Sequence, residues 1–347
     1  MEECPVAELR HGRAKALLVT YDRTGSVQMN QPKVSVLIPS YNQEDVIEQT
    51  VMSSLTQDYD NLEVVVSDDA SLDGTPQILQ ELQSRFPQRL KVFLHQTNAG
   101  VTKNHTRGLL ECSGEFIAFQ DGDDLFLPGK ISKQVAFMLA HPDCTICSHD
   151  VDVFDSRSGK TLYHWSERFG RREGGMVELV RYGNYLSSVS VMVRKMHLPS
   201  DGYDERIRIG SDWLLWLEAL ARGKGWICYL DEVLARYRRH PGNLTNVSGW
   251  KYEDQLITLS LVETKWPHLL FPARMRRSEV QFMAGVSAFS AKRFPDARRY
   301  FLESLALGFP FFPWLRLMWR ELFFWLRHRS TKDDILGSVV AMKETTK

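Results

Sequence analysis

Two stretches of this chain concentrate carboxylates. Asp68, Asp69 and Asp73 fall within Ser67-Asp68-Asp69-Ala70-Ser71-Leu72-Asp73-Gly74-Thr75, and Asp121, Asp123 and Asp124 within Gln120-Asp121-Gly122-Asp123-Asp124. Carboxylates this close repel one another, and a divalent cation is the usual agent that offsets the repulsion. Magnesium and manganese take oxygen ligands and keep positions open for phosphate oxygens. An Asp-Gly pair also makes an ordinary solvated turn. That reading leaves unexplained why both clusters follow an apolar, strand-like run, Leu62 to Val66 in one case and Phe116 to Phe119 in the other.

The elements that must carry these clusters are legible as an alternation of β-branched runs with helical patterns. Strands are predicted over 34–38, 62–66, 90–95, 116–119, 145–149, 185–193 and 234–238, and helices over 44–57, 76–86, 101–111, 130–140 and 212–222. Thr75 is placed to cap the second helix, with Pro76 at its first position. Such alternation predicts an α/β fold, an open and mostly parallel sheet with helices on both faces. Ligands of such sheets bind beyond the carboxyl ends of the strands, where both acidic clusters lie. After Trp250 the pattern is all-helical, with a hairpin over 276–292 and 296–307 around Pro295 that matches a single tetratricopeptide-like unit.

Four motifs in order complete a resemblance: Val34-Ser35-Val36-Leu37-Ile38-Pro39-Ser40-Tyr41-Asn42, the Asp68 to Thr75 turn, Asn98-Ala99-Gly100, and Asp121-Gly122-Asp123-Asp124. From about Lys33 to Asn243 the chain resembles family 2 glycosyltransferases with the GT-A fold. The resemblance implies an inverting enzyme with a nucleotide-diphosphate sugar donor, a UDP-sugar being favoured, a divalent metal (Mn2+ or Mg2+), and a glycan or lipid-linked acceptor. It implies that Pro39, Tyr41 and Asn42 line the base and ribose pocket, that Asp69 accepts a hydrogen bond from the base, and that Asp68 supports it. It makes Asp123 the direct metal ligand, with Asp121 a further ligand or ribose contact and Asp124 a residue that either supports the ligands from behind or contacts the sugar. A metal between the two phosphates would neutralise charge on the departing nucleoside diphosphate. Inversion needs a base on the far face of the sugar. The family pattern places it at Asp212 in Gly210-Ser211-Asp212-Trp213, with Ser211 where Glu is common; a plain helix N-terminal acid fits the same residue. In Tyr237-Arg238-Arg239-His240-Pro241-Gly242-Asn243, His240 fits a metal or phosphate ligand and Arg238 a phosphate clamp, or the two form an ordinary surface pair. His105-Thr106 stands where many members carry Ala-Arg, so Lys103, His105 or Arg107 is left to supply the missing cation, unless Lys103 and Arg107 only solvate a helix face.

Composition closes off other classes. The 347 residues are 43% hydrophobic and 25% charged, with 43 basic and 43 acidic side chains. This is a globular balance without the basic excess of a general nucleic-acid binder. Five scattered cysteines build no disulfide framework and fit a reducing, cytoplasmic compartment, and Cys144-x-x-Cys147 reads as ordinary strand. Residues 1–32 read as a leader without the apolar run of a signal peptide. No glycine-rich phosphate loop follows the first strand, which disfavours a nucleotidyltransferase or a dinucleotide oxidoreductase. A sugar-nucleotide-binding module without catalysis is the remaining alternative. The domain plan is therefore 33–250 for the catalytic domain, with a nucleotide half at 33–125 and an acceptor half at 126–250, and 251–347 for a helical region. Within it, residues 309–328 form an aromatic, Arg-bearing amphipathic pattern suited to a membrane interface or to a protein surface. Residues 271–330 carry a balance of +7, offset by −7 over 1–270.

Overall fold

The computed structural model describes residues 31–246 and 250–308. In chain order its elements are β1 (Val34–Ser40), α1 (Ile47–Leu55), β2 (Leu62–Asp68), α2 (Thr75–Arg85), β3 (Leu90–Leu94), α3 (Val101–Glu111), β4 (Phe116–Phe119), β5 (Leu125–Phe126), α4 (Lys130–Ala140), β6 (Cys144–Asp155), β7 (Thr161–His164), α5 (Trp165–Phe169), α6 (Met176–Tyr182), β8 (Met192–Arg194), α7 (Asp212–Gly223), β9 (Trp226–Arg239), α8 (Trp250–Lys265), α9 (Leu270–Ser290) and α10 (Phe294–Ala306). The strands form one sheet in the order β3-β2-β1-β4-β8-β6-β9-β5, with β7 beside β6. β1 to β4, β6 and β9 point one way, and β5, β7 and β8 the other. The expected α/β fold is therefore present.

Period-two alternation explains why helices cover both faces. Val34, Val36 and Ile38 of β1, with Val64 and Val66 of β2 and Phe116 and Ala118 of β4, join the apolar core under α1, α2 and α4. Leu37, Val65, Ile117 and Phe119 point the other way, into a core shared with α3, α6, α7, α8 and α9. The second core sets the site. Trp216 of α7 is fully buried edge-on against Phe119, 4.7 Å between ring centroids, and Trp213 donates its indole N–H to the Leu179 carbonyl of α6 at 3.1 Å. Burying two indoles removes several hundred Å2 of mostly apolar surface, about 8 kcal/mol before entropy is counted. It locks the start of α7 beside the end of β4. The helical region is continuous with this core, because Leu259, Val262, Ala273 and Val280 belong to it.

Two expectations are corrected. Residues 185–193 are not one long strand: a 3-10 turn occupies Ser188–Ser190 and pairing begins only at Met192. The Gln134 side chain of α4 donates to the Ser190 and Cys147 carbonyls, taking the place of a strand neighbour. Thr75 does not cap α2; its hydroxyl accepts the Gln43 amide at 2.8 Å, and Asp73 receives the Thr75 amide instead. The hairpin of α9 and α10 is observed, packed so closely that a Cβ on Gly285 would lie 2.7 Å from the Phe301 ring. Cys144 and Cys147 are free, buried thiols within β6. The leader and the 309–328 pattern lie outside the described residues.

Candidate active site

The loops after β1, β2 and β4 meet at one end of the sheet and are tied together by side chains. Asn42, in the left-handed region at φ 51°, donates its amide to the Ser71 hydroxyl at 2.8 Å and accepts the Leu72 amide on Oδ1 at 2.8 Å. Asp68 accepts the Ser71 amide and hydroxyl at 2.9 and 2.6 Å. Asp69 is 2% exposed and accepts the Ala99 and Gly100 amides at 2.9 and 2.8 Å, so the Asn98-Ala99-Gly100 turn is moulded on its carboxylate. Arg107 lies 3.6 Å from the same carboxylate. Gly122 presses against β1, where a Cβ would sit 2.9 Å from the Pro39 carbonyl and closer still to Gln43. That contact needs glycine. Tyr41 stands 44% exposed at the end of β1.

The second acidic cluster divides its work. Asp123 Oδ2 accepts His240 Nε2 at 2.8 Å and Asn243 Nδ2 at 3.2 Å. Asp124 is fully buried: Oδ1 accepts the Arg238 amide at 2.9 Å, while Oδ2 has no hydrogen-bond partner. Burial first, then the Asp123 and Asp121 carboxylates, push its pKa well above the usual range. Asp121 instead faces His105, 3.8 Å away. Burial works against the His105 imidazolium, but the Asp121 carboxylate and the Val101 carbonyl outweigh it and raise its pKa. Arg238 is 5% exposed and donates to the Asp123 carbonyl and to Gln49 Oε1, both at 2.7 Å. It is a brace behind the acidic loop rather than an open phosphate clamp. Lys103 pairs with Glu205 at 3.3 Å on the surface.

Across from Asp121, Asp212 opens α7. Its carboxylate accepts Asn184 Nδ2 at 2.7 Å and the Trp213 amide at 2.9 Å. Burial raises its pKa to about 6, with Asp121 adding to the rise and the Asn184 and Trp213 hydrogen bonds and His105 opposing it. Tyr203, held protonated by burial and by Asp212 and Asp121, lines the same region. The structure thus gathers Asp121, His105, Tyr203 and Asp212 at one locus and Asp123, His240 and Asn243 at another. Asn184, Asn243 and Gln49 escaped the sequence reading. Asn243 closes the Tyr237 to Asn243 motif, where only Arg238 and His240 are assigned a role, whereas Asn184 carries no local signal.

Among the described residues no three His, Cys, Asp or Glu side chains converge tightly enough to hold a metal by themselves. Asp123 and His240 face each other and would offer a divalent cation one oxygen and one nitrogen donor, of which the carboxylate oxygen suits Mn2+ or Mg2+. No helix among the described residues is long and apolar enough to cross a membrane.

Residues 35–199 match the family model described as Glycosyl transferase family 2. TuaG of Bacillus subtilis, whose name assigns it to teichuronic acid biosynthesis as a glycosyltransferase, is 38% identical over 228 residues, 64% of this chain and 84% of TuaG. An uncharacterized protein of Mycobacterium tuberculosis is 35% identical over 211 residues, 60% of this chain. The match spans 59% of that protein's length, and the same holds for its two mycobacterial counterparts. Among solved structures, S. aureus TarS 1-349 with UDP-GlcNAc superposes with a TM-score of 0.55 at 19% identity, covering 80% of this chain and 92% of that one. The mannosyltransferase PcManGT of Pyrobaculum calidifontis, with GDP-Man and Mn2+, gives 0.55 at 17%, covering 90% of each chain. At these identities the structural likeness speaks for the fold, which is of the GT-A type.

Proposed function

The chain belongs to glycosyl transferase family 2, and on that premise we propose that it moves a sugar, with inversion, from a nucleoside-diphosphate sugar to an acceptor hydroxyl in surface-polysaccharide assembly. The observation that carries the reading is the presence of two carboxylate centres with different partners: Asp123 paired with His240, and Asp212 at the start of α7, held by Asn184 and with a pKa raised to about 6. A base that titrates near neutrality is ionised at working pH yet basic enough to take a hydroxyl proton. Asp212 would take the acceptor proton while its Asn184 hydrogen bond keeps the other oxygen aimed. Asp123 and His240 would hold a divalent cation, which supplies charge neutralisation for the departing diphosphate. Asp121, with His105, would contact the donor between these centres. Pro39, Tyr41 and Asn42 would shape the base and ribose end, with Asp68 and Asp69 setting its loops and Asp124 holding the Arg238 amide behind the acidic loop.

A donor of the nucleotide-sugar class is supported by the neighbours bound to UDP-GlcNAc and GDP-Man, and a glycan or lipid-linked acceptor by the relative named for teichuronic acid biosynthesis. Membrane-surface contact through 309–328 remains part of the proposal on composition alone. Calorimetry of UDP-glucose, UDP-GlcNAc and GDP-mannose with and without Mn2+ tests the donor and metal together. Binding that ignores the metal for every donor would remove Asp123 and His240 from the reading.

A further inference from the structure

The start of α7 is held from two sides by residues outside the acidic loops. On one side the consecutive amides of Arg208, Ile209 and Gly210 donate to the Asp254 carboxylate of α8 at 3.3, 2.8 and 3.3 Å, and Asp254 is 3% exposed. Thr102 of α3 donates its hydroxyl to the Ile207 and Arg208 carbonyls of the same turn. On the other side Asn184 reaches Asp212 at 2.7 Å. Asn184 follows Gly183, which ends α6 at φ 76°, and the Arg276 guanidinium of α9 lies 2.6 Å from where a Cβ on Gly183 would stand. A carboxylate accepts but does not donate, so only the NH2 end of the Asn184 amide can face it. The other end, Oδ1, is buried without a hydrogen-bond partner. A buried, half-satisfied amide is unfavourable by itself, so its contact with Asp212 stands out among its possible orientations.

We propose that Asn184 and Asp254 are positioning residues for Asp212, and that α8 and α9 therefore belong to the catalytic apparatus rather than to a separate appendix. The inference rests on the reading of Asp212 as the base. Positioning matters because a displacement of about 1 Å at a reacting group can lower a rate about a hundredfold. Asn184 also favours the ionised form of Asp212. The other titratable groups facing Asp212 are Asp121 from the loop after β4, His105 from α3 and Tyr203 from the loop before α7.

The test measures nucleoside diphosphate released, with Mn2+, from whichever of UDP-glucose, UDP-GlcNAc and GDP-mannose the full chain turns over. Asn184→Leu should lower kcat about 10- to 100-fold, leave donor Kd within about twofold, and move the acid limb of kcat/KM upward by about a pH unit. Asp254→Asn should lower kcat about tenfold or more at unchanged donor Kd, and Thr102→Val, which loosens the same turn from α3, serves if that variant does not fold. An Asn184→Leu enzyme with an unmoved acid limb and kcat within twofold of the parent overturns the inference. So does a loss of kcat matched by an equal loss of donor affinity, which marks a merely structural role. Asp212→Asn separates the two levels. If it is inactive while the clamp variants are normal, only this inference fails; if it turns over normally, the base assignment fails and takes this inference with it.

Discussion

Replacing Asp212 by Asn should make the protein more stable while it sharply slows transfer. Burial lifts the Asp212 pKa from 3.8 to about 6. At about 1.4 kcal/mol per pKa unit, ionising it in the folded state at neutral pH costs roughly 3 kcal/mol. The side chain is partly exposed, so screening brings the expected figure to about 1–3 kcal/mol. The sign follows from the protons bound. Between about pH 4 and pH 6 the folded protein holds a proton that the unfolded chain has released, so stability falls as pH rises through that window. Above pH 6 the penalty is constant. Asp212→Asn carries no such penalty, so urea denaturation should show it more stable than the parent at pH 8, with the advantage shrinking through pH 6 and vanishing near pH 4. Donor Kd should stay within about twofold, and turnover should drop by about 10²–10⁴, the usual worth of a general base. An advantage that does not change with pH, or a variant less stable than the parent at pH 8, would refute the burial argument.

Three further outcomes follow from the geometry. Asp123→Ala should leave thermal stability nearly unchanged in the absence of metal and remove the Mn2+ dependence of donor binding, measured by calorimetry; His240→Ala should weaken that dependence less. Asp69→Ala removes the acceptor of the part-buried Ala99 and Gly100 amides, of which Gly100 keeps Asn98 Oδ1 at 3.1 Å, and should destabilise the fold by about 1–2 kcal/mol in urea titrations; an effect under about 0.5 kcal/mol would count against the moulded turn. Gly108→Ala places a Cβ 2.5 Å from Leu37 and 3.0 Å from Ser67; overpacking α3 on β1 and β2 should cost about 1–3 kcal/mol, visible as a lowered Tm.

Much of the fold was readable because its signals are local. The helices Val101–Glu111 and Lys130–Ala140 and the strand Phe116–Phe119 coincide with their predicted bounds, since β-branched runs, apolar periodicity and glycine punctuation act over a few residues. Residues 185–193 were misread for the complementary reason. Their alternating serines and valines suit a strand, but strand formation needs a partner, and Gln134 of α4 occupies the Ser190 carbonyl that a partner would have taken. β6 and β9 likewise run well past their predicted ends because each pairs with the other along nearly its whole length.

The candidate site divides along the same line. The residue types were fixed by the sequence itself: carboxylates after β2 and β4, a helix opened by Asp212, and a histidine after β9. Which of them meet was a matter of tertiary structure. It put His240 on Asp123, turned Asp121 toward His105, and set Arg238 behind the acidic loop with both partners already chosen. It also brought Asn184 to Asp212 from 28 residues before it, and Asp254 of the far helix α8 to the Arg208, Ile209 and Gly210 amides just ahead of Asp212. Periodicity and motif spacing describe what a residue's neighbours in the chain allow. A carboxylate's pKa and aim depend instead on burial and on donors in space, and for Asp212 those are supplied by the packing of α3, α6, α8 and α9 around the start of α7.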